Sequence, residues 1–92
     1  MLEKKIEAAL KTVKERKALY GHSYLVHGEI MKVLFPDGME LKTTEDFNRY
    51  GALSLIVTKL VRYCNKWDKP HQDSIHDLGV YAFILETIDD SY

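Results

Sequence analysis

Cysteine occurs once in this sequence, at Cys64, so no disulfide can form within the chain, and such sparing use suits a reducing compartment. Long apolar runs are missing as well. The longest without a charged or strongly polar residue runs from Leu78 to Leu85, well short of the roughly 18 residues of a membrane span. Charge of one sign is not in excess, with thirteen Lys and Arg against fourteen Asp and Glu and a net charge of −1. A nucleic-acid backbone is gripped by surplus cations, so nucleic acid is an unlikely partner. There is no P-loop, no G-x-G-x-x-G, and no Ser/His/Asp or Cys/His arrangement, and no repeat, low-complexity tract or linker interrupts the chain. Met1-Leu2-Glu3-Lys4-Lys5 leads into an amphipathic pattern and not into the apolar segment of a secretory leader. The expectation is one domain spanning residues 1–92, cytoplasmic, with no membrane partner.

What the sequence does have is helical periodicity. Leu2, Ile6, Ala9 and Val13 recur at the spacing of one helix face, and four helices are expected near residues 2–17, 23–35, 44–66 and 72–88. Gly21 permits the break after the first helix, and Ser23 can cap the second, whose inward residues are Val26, Ile30, Val33 and Leu34. Phe35-Pro36-Asp37-Gly38 reads as a turn. Thr43 with Asp46 resembles a capping box for the third helix, with Asp in place of the usual Glu. Along that helix Phe47, Tyr50, Leu53, Val57, Leu60, Val61 and Cys64 follow the inner face, and Cys64 reads as a core residue. Lys69 precedes Pro70, which ends the helix. Residues 89–92 are expected to fray. The fold class is an all-α bundle of four helices. Hydrophobic residues make up 46% of so short a chain, more than four short helices cover. A homo-oligomer is therefore expected to complete the bundle.

The last helix, from Ile75 to Leu85, is apolar apart from His76, Asp77 and the hydroxyl of Tyr81. Ile75, Leu78, Ala82 and Leu85 fall on one face. Asp73, Asp77 and Tyr81, spaced four apart, form a polar stripe, and a carboxylate inside a helix of this kind needs a cation, a metal or several donors. Lys59 and Arg62 on the third helix are the natural partners of Asp77. Either the charges neutralise one another, or the cations hold phosphate while the carboxylates hold Mg²⁺. Tyr20, His22, Ser23, Tyr24 and His27 cluster around the glycine turn, where aromatic rings and a helix N-terminus suit a base and a phosphate. They equally suit an aromatic corner packed on the helix pair. His22 and His27 lack the spacing of a helical zinc pair. Glu29 is a carboxylate early in the second helix.

Tyr20-Gly21-His22-Ser23, Lys59-Leu60-Val61-Arg62 and Asp73-Ser74-Ile75-His76-Asp77, followed by Tyr81, resemble the phage and prophage family called nucleotide modification associated domain 1. The resemblance spans about residues 15–88. That family is itself similar to the all-α nucleoside triphosphate pyrophosphohydrolases of the MazG kind, which hold Mg²⁺ with an E-x-x-E helix and an E-x-x-D helix. Here no E-x-x-E exists, and the sole E-x-x-D is Glu86-Thr87-Ile88-Asp89. The resemblance implies a helical nucleotide-related protein; with the metal-binding carboxylates incomplete, the expectation is a small protein in a host's cytoplasm that binds a nucleotide, or a cyclic or modified nucleotide signal such as an immune messenger, without hydrolysing it and without a cofactor. The ligand set expected is Tyr20, His22, Ser23, Tyr24, Lys59, Arg62, Asp73, Asp77 and Tyr81. Two alternatives stand beside it. One is a Mg²⁺-dependent pyrophosphohydrolase using Glu29, Asp73 and Asp77; the other is a structural or partner-binding helical module.

Overall fold

A computed structural model of the protein describes the backbone of residues 1–20 and 23–92, and the side chains outside residues 17–24. Its elements are α1 (Leu2–Tyr20), α2 (Ser23–Leu34), α3 (Thr44–Asn65) and α4 (Gln72–Ser91). The architecture is all-α, as the periodicities imply, and no strand occurs among the described residues. The boundaries follow from local chemistry. After α2, Gly38 takes a positive φ of 80° and donates its N–H to the Phe35 carbonyl at 3.0 Å, closing the turn begun at Pro36.

The start of α3 is the capping box expected from sequence. Thr43 is extended, and its Oγ1 accepts the Asp46 N–H at 3.1 Å. In return Asp46 Oδ2 accepts the N–H groups of Lys42 at 3.0 Å and Thr43 at 3.1 Å. Those two N–H donors, Lys42's foremost, hold the Asp46 carboxyl below its ordinary value of 3.8. A carboxylate whose pKa is lowered by folding adds stability above its unfolded value, and that contribution is lost as pH falls through the lowered value. Asp46→Asn is therefore expected to flatten the acid limb of stability below about pH 4–5, with little change in its shape near neutrality. Thr43→Ala should cost about 1 kcal/mol, read as a lower denaturant midpoint at an unchanged slope.

Helices α3 and α4 form an antiparallel hairpin whose register is marked along its length. Asn48 donates to the Tyr92 hydroxyl at 3.1 Å, Arg49 pairs with Asp89 at 3.0 Å, and Lys59 pairs with Asp77 at 3.5 Å. The first two contacts explain why α4 continues to Ser91 instead of fraying from Asp89. Between the helices lie Ala52, Val57 and Val61 of α3 and Ser74 of α4, all buried, with Leu78, Tyr81, Leu85 and Ile88 half-buried beside them. Helix α2 also runs antiparallel to α3. His27 stands against Ser54 and Thr58, while Met31, four residues on, shares a pocket lining with Tyr50.

Several expected core positions are instead exposed. Cys64 is at the surface, as are Phe47 and Leu60 on α3 and Val33 and Leu34 on α2. On α4 the packed face is Ser74, Leu78, Tyr81 and Leu85, so Ile75 and Ala82 turn outward. The physical reason is that an apolar residue marks a face only when the opposite face is polar. In α4 both are apolar, and the ion pairs to α3 select which one turns inward.

Candidate functional site

The α3–α4 turn, residues 66–71, holds Lys66, Lys69 and His71 close behind Arg62 of α3. Lys66 ends α3 with φ −125° and ψ 69°, and its carbonyl accepts the Lys69 N–H at 3.1 Å. Pro70 then breaks the chain direction, and extended His71 starts α4. His71 Nδ1 lies 2.7 Å from the hydroxyl of Ser74, which is 1% exposed and so takes its partner from this imidazole. His71 provides no side-chain cap for the backbone of α4, whose first N–H groups face the turn.

Around this junction lies an open pocket of about 520 Å³ lined by Arg62, Lys66, Lys69, His71, Gln72 and Asp73, together with Pro70. Three cations and one carboxylate line it, beside the positive end of a helix dipole. A second pocket, about 170 Å³, opens at the far end of the hairpin. It carries Glu40, Asp46 and Asp89 against the single cation Arg49, on an apolar floor of Phe35, Leu53 and Leu85. An anion is attracted to the first and repelled by the second.

The expected site residues divide accordingly. Arg62 and Asp73 line the cationic pocket. Lys59 and Asp77, one turn and more along, bind each other at 3.5 Å, the neutralising alternative. Their side chains are 17% and 42% exposed, so Asp77 is carried at the edge of the helix pair and not inside it. Breaking a pair with one half-buried and one wet partner costs less than breaking a fully buried one. Asp77→Ala is expected to lower stability by about 1–2 kcal/mol, measured by urea unfolding. Tyr81 is half-buried on the packed face of α4. Glu29 is exposed on α2, and among the described residues no three carboxylate, imidazole or thiol groups converge as a metal site. Tyr20, His22, Ser23 and Tyr24, the expected aromatic turn, lie outside the residues whose side chains are described.

The chain matches no protein-family model, no curated protein and no solved structure. Its chemistry is therefore read from the residues themselves. Lys69 and His71 belong to the pocket and were not expected from sequence, because a turn residue shows no periodicity that would assign it a direction. The cue available was composition: Lys66, Lys69 and His71 fall within six residues that also hold a helix-ending proline. His27, read from sequence as part of the cluster around the glycine turn, faces α3 instead. Its Nε2 lies 3.2 Å from Ser54 Oγ and its Nδ1 3.3 Å from Thr58 Oγ1, so this imidazole fixes the α2–α3 register. The Thr58 hydroxyl also donates to the Ser54 carbonyl at 3.0 Å, which leaves its lone pairs for a His27 N–H.

Proposed function

We propose that the protein binds a nucleotide or a nucleotide-derived signalling molecule, holds its phosphate at the α3–α4 turn, and does not hydrolyse it. The observation that carries the proposal is the pocket in which Arg62, Lys66 and Lys69 face the N-terminal turn of α4. Arg offers a planar fork for phosphate oxygens, Lys adds point charges, and helix N–H groups complete an anion cradle. A volume of about 520 Å³ falls within the range of small-molecule sites. The direction of α2 is compatible with the proposal, because its N-terminal end lies toward the Arg62 end of α3.

Hydrolysis would ask Glu29, Asp73 and Asp77 to share one Mg²⁺. Asp77 is instead held by Lys59, and Glu29 belongs to a different helix, whose hydrogen bonds to α3 come from His27. Capture without turnover fits this donor set better. The resemblance to the nucleotide modification associated domain 1 family points to the same ligand class, and sequestration of an immune messenger in a host cytoplasm is the role such capture would serve.

A thermal-shift panel of mononucleotides, dinucleotides and cyclic dinucleotides tests the proposal. A ligand at a hundred times its Kd stabilises by about 2.7 kcal/mol, which raises Tm by several degrees in a chain of this size. At least one nucleotide should give such a rise, and Arg62→Ala should cut it by about half or more. A flat panel, or a rise that Arg62→Ala leaves intact, would count against the proposal.

A further inference from the structure

The protein exposes far more surface than a folded chain of its mass. Its accessible area is 7362 Å², whereas a compact monomer of 10.7 kDa exposes about 5,500 Å². Its radius of gyration is 15.9 Å, against about 12 Å for a compact domain of this length. Exposed apolar side chains contribute to the excess, and two of the helices carry them as continuous faces. On α1 the stripe Leu2, Ile6, Leu10 and Val13 is at least half exposed, and every described side chain of that helix is exposed. On α4 the outward face presents Val80, Phe83 and Ile84, with Phe83 73% exposed, and no charged residue occurs between Asp77 and Glu86.

The two helices complement each other in charge and length. Helix α1 carries Lys4, Lys5, Lys11, Lys14, Arg16 and Lys17 against three glutamates, whereas α4 has five acidic residues and no Lys or Arg. Exposed Glu86 and Asp90 follow the apolar centre of α4, where cations bordering the α1 stripe would meet them. With 19 and 20 residues, the helices are each about 30 Å long at 1.5 Å per residue.

We propose that α1 of one copy lies along the outward face of α4 of a second copy, reciprocally, in a two-fold dimer. The area fits: covering an excess of about 1,900 Å² on each copy gives a total within the 2,000–5,000 Å² of obligate homodimers. A two-fold arrangement covers the apolar faces of α1 and α4 in both copies at once. The α3–α4 turn takes no part, so the dimer stands or falls independently of nucleotide binding.

Light scattering on the eluting full chain at tens of micromolar tests this. The parent should have about twice the mass of one 10.7 kDa chain. Phe83→Glu and Leu10→Glu, each placing a carboxylate in an exposed apolar stripe, should each halve that mass. Val33→Glu, at an equally exposed apolar position on α2, should leave it unchanged. Helical circular dichroism on each variant distinguishes dissociation from unfolding, and at an outward position the helical signal of α3 and α4 should persist. A parent of single-chain mass, which is also the result if α1 folds back on its own α4, overturns the proposal. So does a dimer that keeps its mass in both glutamate variants, or a Val33→Glu variant that dissociates like them.

Discussion

Arg62→Ala is expected to weaken binding of the best nucleotide about tenfold or more. A charge-assisted hydrogen bond to phosphate is worth about 1.5–3 kcal/mol, and each 1.4 kcal/mol is a factor of ten in Kd. Arg62 is the most sheltered cation of the pocket, so less water competes for its fork than for Lys66 or Lys69, both of which are exposed. Lys66→Ala and Lys69→Ala should each lose less, and the loss should shrink further at high salt. Lys59→Ala provides the contrast: Lys59 holds Asp77, so its removal should lower stability more than affinity. Trp67, the sole tryptophan, sits in the same turn with its ring edge-on to Tyr63 at 6.0 Å, and its fluorescence offers a direct readout of these titrations. Tyr24→Ala extends the series to the glycine turn, where loss of a stacked base would cost about 1–3 kcal/mol.

Val57→Ala is expected to lower stability by about 2 kcal/mol. Val57 is 3% exposed and is one of three apolar residues buried among those described, with Ala52 and Val61. Removing two methyl groups loses roughly 0.8 kcal/mol of transfer energy per carbon, and the void left in the helix pair adds to this. With so few buried side chains, no neighbouring layer takes up the strain. Val33→Ala, at a side chain 79% exposed, should stay within about 0.5 kcal/mol of the parent. Urea unfolding of both variants at one fixed protein concentration makes the comparison, since a dimer's apparent stability depends on concentration.

The elements were legible in the sequence because their signals are local. Thr43 and Asp46 announce their helix start through a three-residue spacing, and Pro36-Asp37-Gly38 closes a turn that only a positive φ at Gly38 permits. The Lys59–Asp77 pair was legible too, because the two longest helices had to pack and few charges lay between their apolar residues. What periodicity did not settle was the facing of helices apolar all round. In α4 it favours Ile75 and Ala82 as readily as Ser74 and Tyr81, and the deciding contacts, Arg49–Asp89 and His71–Ser74, are tertiary or lie in a turn. Cys64 was misplaced for a related reason. It lies one residue before α3 ends, beyond the last buried residue, Val61, where the inner-face spacing continues but the packing does not. The pocket was half legible: Arg62 lies on a helix whose spacing points toward α4, whereas Lys69 and His71 lie in a turn that spacing rules do not reach.

Isothermal titration of the parent with the best nucleotide of the panel, repeated in EDTA, tests the central claim most directly. Arg62, Lys66, Lys69 and the first turn of α4 hold phosphate by charge and hydrogen bonds of the chain itself, so the heat and the Kd should survive chelation and no pyrophosphate should be released when Mg²⁺ is supplied. Loss of all binding heat in EDTA, together with pyrophosphate release in Mg²⁺, would contradict the account and place the chemistry on Glu29, Asp73 and Asp77.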